Sequence, residues 1–353
     1  MSKVLYSLAW LSFCAVFVMC DVVSLRSAIA QESVNFWEAH QTEIRAIGLS
    51  PKGKVIISGS STGEMTAWDV KSKKSVCKFS GHGDSVSSLV FLNESTFLSG
   101  SADGTVRKWL VGKTEPLVTL ASPPSHYIST LLPLSETSWL AGSFRSILKS
   151  MDEQEFDVWL KGGGAIGVFD ICLDKQMLGA GGKPRHISLY DLQSKELKQS
   201  ILLPENGADG TPLPDRIRSI RFSPDGNHLL VLCANRANSC VFLVDLKSSA
   251  ISLVNISSEG PRCGMLFSPD GGIFAVAGFD ILVFDTASAK LIKKIDGSES
   301  DMWPKPNYYP SIAFVEISES LKLLAGTRDG KIVELGMLVG SKKLRRPLNK
   351  RKE

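Results

Sequence analysis

Apolar residues along this chain come in short alternating runs broken by Gly, Asn, Asp and Pro. The clearest stretch runs from Gly81 to Trp109, GHGDSVSSLVFLNESTFLSGSADGTVRKW. Val86, Leu89 and Phe91 alternate with polar positions, Phe97-Leu98 form a second apolar run, and a tight Asp103-Gly104 turn leads into Val106 to Trp109. Three short strands separated by Gly, Asn and Asp form a meander, with a hairpin signal at Asp103-Gly104. Beyond the N-terminus no segment sustains a helical apolar period, so many short strands are expected rather than long helices.

Laid along the chain as a ruler, that stretch exposes weaker copies. A unit before it holds His40, Ile44 to Leu49, Val55 to Ser58 and Ala67-Trp68-Asp69, with Thr62-Gly63 in place of Asp-Gly. A third runs through His126 to Leu134, Trp139 to Ser143, Ile147 to Met151 and Phe156 to Leu160. The fourth covers Val168 to Leu173, Met177 to Ala180 and Ile187 to Asp191, with Tyr190-Asp191 where the first unit has Trp68-Asp69. A fifth begins at Ile217 and a sixth repeats its turn, Ser223-Pro224-Asp225-Gly226 and Ser268-Pro269-Asp270-Gly271. The seventh has Ile312 to Val315, Leu321 to Gly326, Asp329-Gly330 and Ile332 to Leu335. First strands recur at about 39 to 50 residues, the spacing of four-stranded blades.

The Gly81-His82 start and the Trp109 end resemble one repeat of the WD-repeat (Trp–Asp) β-propeller family, with Leu110 where that family usually has Asp. The resemblance covers nearly all of the chain between its ends and implies an all-β, seven-bladed propeller of four-stranded antiparallel blades. The seventh unit has only three strands, while Val34-Asn35-Phe36-Trp37 is an orphan ahead of the first unit. The resemblance therefore implies that an N-terminal strand completes the last blade, removing an exposed sheet edge. It also implies a structural tetrad, His82, Ser99, Asp103 and Trp109, joined by hydrogen bonds inside one blade. A His/Ser/Asp set suits a hydrolase too, but the spacing fits the blade lock.

The ends carry different signals. Lys3 followed by the apolar run Val4 to Cys20 and the small residues Ala28-Ile29-Ala30 marks residues 1–30 as a signal peptide, with a membrane anchor as the alternative. Export to the periplasm or outside the cell is expected from it. Residues 31–340 form the expected propeller, and 341–353 a basic, disordered tail holding seven Lys and Arg against Glu353. That tail carries the positive balance of a chain whose net charge is +4, so leader or tail could bring the protein to a membrane. A hydrophobic fraction of 43% over 353 residues is enough for one large core, and a monomer is expected. Outside the leader Cys77, Cys172, Cys233, Cys240 and Cys263 have no metal-ligand or haem spacing. Cys233 and Cys240 flank a predicted hairpin and could pair after export, although buried free thiols are the expected state.

No cofactor or metal is expected and no catalytic constellation stands out. There is no phosphate-binding Gly-Lys loop, no His-x-x-x-His and no haem Cys pair followed by His. Lys161-Gly162-Gly163-Gly164 lacks the strand-to-helix setting of a phosphate cradle and reads as a connecting turn. Nucleic-acid binding is not expected, because the repeats lack a concentrated basic and aromatic stripe. The implied top face is the place for a protein or peptide partner. Two long connections reach it, Pro204 to Asp215 and Gly297 to Tyr309, the second carrying Trp303, Tyr308 and Tyr309. Arg45, Arg216, Arg218 and Arg262 fall at the starts of first strands beside the channel mouth, where they would suit an acidic partner. Arg145, Arg185, Arg236 and Arg328 fall in turns on the same face, and Glu43, Asp84, Asp215 and Asp280 partly offset them. A non-catalytic scaffold is thus expected. The alternative is an exported lactonase- or hydrolase-like propeller with Glu43, Arg45, Arg218 and Arg262 around a channel-mouth active site.

Overall fold

Twenty-eight strands and no helix make up the regular structure of the described residues in the computed structural model, which are 35–122, 127–143, 146–161, 168–235, 238–254, 264–296, 310–317 and 320–336. The expected leader, the basic tail, the Gly162–Gly164 turn, the Gly297–Tyr309 connection, His126, Arg145, Arg236, Arg262 and Cys263 lie outside them.

The first strand, β1 (Asn35–Glu38), stands apart in sequence from the sheet it joins. Blade 1 is β2 (Ile44–Leu49), β3 (Val55–Ser60), β4 (Met65–Asp69) and β5 (Ser75–Phe79); blade 2 is β6 (Val86–Phe91), β7 (Thr96–Ser101), β8 (Thr105–Leu110) and β9 (Val118–Ala121). Blade 3 follows as β10 (Thr130–Pro133), β11 (Trp139–Ser143), β12 (Ser146–Met151) and β13 (Glu155–Lys161). Blade 4 is β14 (Val168–Cys172), β15 (Met177–Lys183), β16 (His186–Asp191) and β17 (Leu197–Leu202). Blade 5 is β18 (Ile217–Phe222), β19 (His228–Ala234), β20 (Ser239–Asp245) and β21 (Ile251–Val254). Blade 6 is β22 (Gly264–Phe267), β23 (Ile273–Ala277), β24 (Asp280–Asp285) and β25 (Leu291–Asp296). Blade 7 combines β26 (Ser311–Ile317), β27 (Ser320–Gly326) and β28 (Lys331–Gly336) with β1 as its outer strand. First strands touch in ring order from β2 round to β26, which meets β2 again. The chain is thus an all-β propeller of seven four-stranded antiparallel blades, closed by its N-terminal strand.

The core lies between blades, not inside any one of them. Ile57, Met65 and Phe79 of blade 1 pack against Val86, Phe97 and Trp109 of blade 2, and comparable clusters fill the junctions of blades 2 with 3, 3 with 4, 4 with 5, 5 with 6 and 7 with 1. A second strand is therefore covered on both faces, which is why Ile56 to Ser60, Phe97 to Ser101 and Ile273 to Ala277 are buried without alternation. The Asp of each Trp-Asp or equivalent pair works locally. Asp69 accepts the Ser72 N–H at 2.7 Å, Asp191 accepts Gln193 and Ser194, and Asp245 accepts Lys247 and Ser248, each closing the turn to the outer strand. Blade 2 has Leu110 at that place and turns with Gly112 at φ +94° instead.

Three expectations are corrected. With Thr62 in the place of Asp103, the blade 1 lock is expected to lack a carboxylate, but Glu64, two residues after Thr62, supplies one, its Oε2 lying 3.7 Å from His40 Nδ1. Asp280 does not offset the charge of the top face, because it is buried at 4% exposure and paired with Lys294. Only Thr130–Pro133 of the stretch expected as the first strand of blade 3 pairs as strand.

Candidate functional site

At the inner ends of the seven first strands lies a cavity of ≈ 990 Å³ to which every first strand contributes lining residues. How its arginines reach it follows from local backbone irregularity. The β2–β3 register skips Arg45, the β6–β7 register skips Ser87, and the β18–β19 register skips Arg218. An extra residue in one strand bends it and re-aims the side chain, so Arg45 and Arg218 turn out of the blade toward the cavity. In blade 2 Ser87 takes that place and donates to the carbonyls of Gly100 and Ile128.

The charges around the cavity are unequal. Arg45 is satisfied by Glu43, whose Oε2 accepts from Nε and from Nη2 at 3.0 Å each. Arg221 donates to the carbonyl of Ile220 and faces Asp170, a buried carboxyl that burial pushes up in pKa and that the Arg221 charge and the N–H of Phe222 hold down. Arg216 and Arg218 have no such relief: neither makes an ion pair or side-chain hydrogen bond among the described residues. Burial lowers the pKa of Arg218, and the like charge of Arg216 lowers it further. Tyr127, 47% exposed, lines the same cavity. Sequence reasoning did not select Tyr127; its signal is an aromatic residue in the connection between blades 2 and 3.

Of the residues expected to bind a partner, Arg45, Arg216 and Arg218 share this cavity, while Arg262, Trp303, Tyr308 and Tyr309 lie outside the described residues. Arg185 is not free on the face: Nη1 donates to Glu205 at 3.2 Å, and Nε is buried. The Pro204–Asp215 connection is a compact turn, with Gly207 N–H donating to the Thr211 carbonyl and a bridge between Asn206 and Pro212. Among the described residues the cavity lining holds no His or Cys, and no His, Cys, Asp and Glu cluster of metal-binding size occurs.

The tetrad sits away from this cavity, between blades. Trp109 Nε1 donates to Ser99 Oγ at 2.8 Å, Ser99 Oγ meets His82 Nε2 at 2.7 Å, and His82 Nδ1 meets Asp103 Oδ2 at 2.8 Å. A carboxylate only accepts, so the proton is on Nδ1 and Ser99 donates to Nε2. Asp103 also receives Thr105 Oγ1, Thr105 N–H and Gly83 N–H. Burial opposes its ionisation, but these donors and His82 outweigh it and hold its pKa at about 2. With His82 fully buried and every member partnered, the chain of bonds leaves no free nucleophile. Blade 1 repeats it through Trp68, Ser58 and His40.

Seven blades around a channel, the first two locked by Trp–Ser–His bonds, define a WD-type propeller. The family model for "WD domain, G-beta repeat" matches residues 31–69 and 73–109, each range covering the outer strand of one blade and the first three strands of the next. The Arabidopsis thaliana Periodic tryptophan protein 2 is 27% identical over 74% of this chain and 31% of its own length. The Dictyostelium discoideum WD repeat-containing protein 55 homolog is 32% identical over 24% of this chain and 21% of its own. The β-propeller domain of Cps50 (Swd1) from Myceliophteria thermophila superposes with a TM-score of 0.67 at 16% identity, covering 86% of this chain and 99% of that one. The chain carries WD repeats at its N-terminal end and folds as a seven-bladed β-propeller like these WD-repeat proteins. It spans a third or less of the length of these two curated relatives.

Proposed function

We propose that this propeller is a non-catalytic scaffold that takes an acidic segment of a partner protein at the channel mouth. The observation that carries the reading is the pair Arg216 and Arg218, two guanidiniums side by side on one cavity with no carboxylate partner among the described residues. Unmatched like charges cost stability in the free protein, and an anionic group placed between them removes that cost. Tyr127 supplies an aromatic surface beside them, and the bulge at Arg218 gives that side chain its direction. The WD-repeat character of the relatives supports a protein partner, and the bonded state of the tetrad supports a structural role for His82, Ser99 and Asp103.

The test is a peptide array probed with the full chain and with an Arg216→Glu/Arg218→Glu variant. Glu- and Asp-rich or phosphorylated peptides should be retained by the parent and weakened at least about tenfold in the variant, the scale of one to two lost charge-assisted contacts. Equal retention of acidic peptides by both proteins would remove the channel mouth from consideration.

A further inference from the structure

Blade 5 contains a pair of thiols that neither the lock nor the channel uses. Cys233 in β19 and Cys240 in β20 are direct partners in the antiparallel register, so their side chains leave the sheet on the same face. The Ala234 N–H points the other way, to the carbonyl of Arg216, and the Asn235 N–H bonds Asn238 near the hairpin end. That alternation makes Cys233 and Cys240 a hydrogen-bonded pair, for which the Cα atoms stand about 5.5 Å apart, inside the range a disulfide spans. Both are free thiols, 0% and 4% exposed. The neighbouring Cys240 sulfur, with burial, pushes Cys233 up in pKa, while the Cys233 sulfur draws Cys240 down. Arg185, from the turn between β15 and β16 of the neighbouring blade, acts on both sulfurs as a positive charge, and its buried Nε has no hydrogen-bond partner. Asp215 is the opposing charge, acting on Cys233.

We infer that Cys233 and Cys240 form a thiol–disulfide couple oxidised by small peroxides, with Arg185 as the positioning cation for the attacking Cys240 sulfur. Burial restricts the oxidant to a small one that enters as the hairpin end opens, because sulfurs 0% and 4% exposed give a glutathione-sized disulfide no access. In the first step the Cys240 thiolate attacks one oxygen of hydrogen peroxide. An S–O bond forms, the O–O bond breaks, and the departing hydroxide takes a proton to become water. In the second step the Cys233 sulfur displaces that hydroxyl. The S–S bond forms, the S–O bond breaks, and the hydroxyl leaves with the Cys233 proton as a second water. Two thiols lose two electrons and one peroxide is reduced to two waters, so no further reactant is needed. The resulting staple closes the β19–β20 hairpin next to Ala234, the residue tied to the backbone of Arg216. The inference is independent of what binds the channel.

The experiment treats the folded full chain with hydrogen peroxide, blocks free thiols with N-ethylmaleimide in denaturant, and digests with trypsin. Arg221, Arg236 and Lys247 place the two cysteines on separate peptides, 222–236 and 237–247. The expected product is these two peptides joined, lighter by two hydrogens and separated by reductant, and absent from Cys233→Ser and Cys240→Ser variants. Arg185→Gln should slow its formation at least about fivefold, and Arg185→Lys should restore most of the rate. Recovery of both cysteines as maleimide adducts at every peroxide dose overturns the couple. So does joining that appears only when the chain is unfolded in urea, or joining to Cys77 or Cys172 at equal yield. An Arg185→Gln rate equal to the parent's overturns the positioning role.

Discussion

The ammonium of Lys73 lies 5.5 Å from the centroid of the Trp37 ring, joining the turn between β4 and β5 of blade 1 to the outer strand of blade 7. The same device recurs between blades 4 and 3, where Lys195 lies 5.8 Å from the Trp159 ring. Both lysines hold positive φ, 58° and 62°, at the same place in their turns, so a left-handed residue presents each side chain to the preceding blade. Ser249, at φ 60° in blade 5, accepts instead from Gln199 of blade 4. Lys73 also reaches Glu334 of β28 at 3.0 Å, and Lys322 holds the other oxygen of that carboxylate.

This seam predicts what the N-terminal strand contributes. Trp37→Ala removes a half-buried ring and the face under Lys73, and should lower stability by about 2 kcal/mol, below the value for a fully buried Trp. Urea denaturation of the full chain measures it. A midpoint within error of the parent's would mean that β1 does not hold blade 7 to blade 1.

The blade 2 lock predicts a coupled loss. Ser99→Ala leaves the Trp109 indole N–H without its acceptor and His82 Nε2 without its donor in a buried site, costing about 2 to 4 kcal/mol. Trp109→Phe removes one of those orphans together with its partner. The double variant should therefore be more stable than the two single losses added together, by at least about 1 kcal/mol in a double-mutant cycle. Additive losses would show that the three side chains do not act as one network.

Acid should weaken the same locks. Burial holds both His40 and His82 below their ordinary pKa of 6.5, against the pull of Glu64 and Asp103 respectively. The unfolded chain takes up protons as pH falls through 6.5 while the folded chain does not, so this contribution is full above 6.5 and fades as pH drops toward the folded values. Each histidine adds at most about 1.4 kcal/mol per pH unit to the slope. Asp103 behaves in the same sense at lower pH: its contribution is present above its ordinary pKa of 3.8 and is lost as pH falls toward about 2. Unfolding free energies at pH 7.5, 6.5 and 5.5 should decline below 6.5, and His82→Gln should flatten the decline. A parent curve flat over that range would contradict the buried neutral state of both rings.

The blades were legible because their signals are local. Period-two alternation, Asp103-Gly104 and the two Ser-Pro-Asp-Gly turns each specify a strand or a turn from neighbouring residues, and the orphan Phe36-Trp37 showed where the missing strand would come from. What stayed hidden depends on residues far apart. Glu64 reaches His40 although no motif places a carboxylate there. The bulges at Arg45 and Arg218 are set by the partner strand's register, so sequence marked matching positions without the change of direction. The unequal relief of the arginines depends on which carboxylate folds back: Glu43, two residues from Arg45, does so, and Asp215 beside Arg216 makes no ion pair among the described residues.

Glycine in the turn after the second strand has a role that only the ring explains. Gly330 stands at φ +83°, and a Cβ there would lie 2.0 Å from the His40 carbonyl oxygen, while Ala39 and His40 N–H both donate to the Gly330 carbonyl. Gly63 meets His82 in the same way, at 2.5 Å with φ +89°. These turns support the loop carrying the next blade's histidine, so backbone meets backbone with no flexible side chain to yield. Gly210 has nearly the same φ, +80°, but nothing within 4 Å of its missing Cβ, which makes it the control. Gly210→Ala should cost only the conformational penalty of a left-handed Ala, about 1 kcal/mol. Gly330→Ala carries the same penalty and must also push the His40 backbone away, so its cost should exceed that of Gly210→Ala by at least about 1 kcal/mol. Because the displaced backbone holds His40, Gly330→Ala should also reduce the further loss caused by His40→Ala. Equal losses at the two glycines would show that the seam between blades 7 and 1 has room to relax, and that the close approach at Gly330 does not position the blade 1 lock.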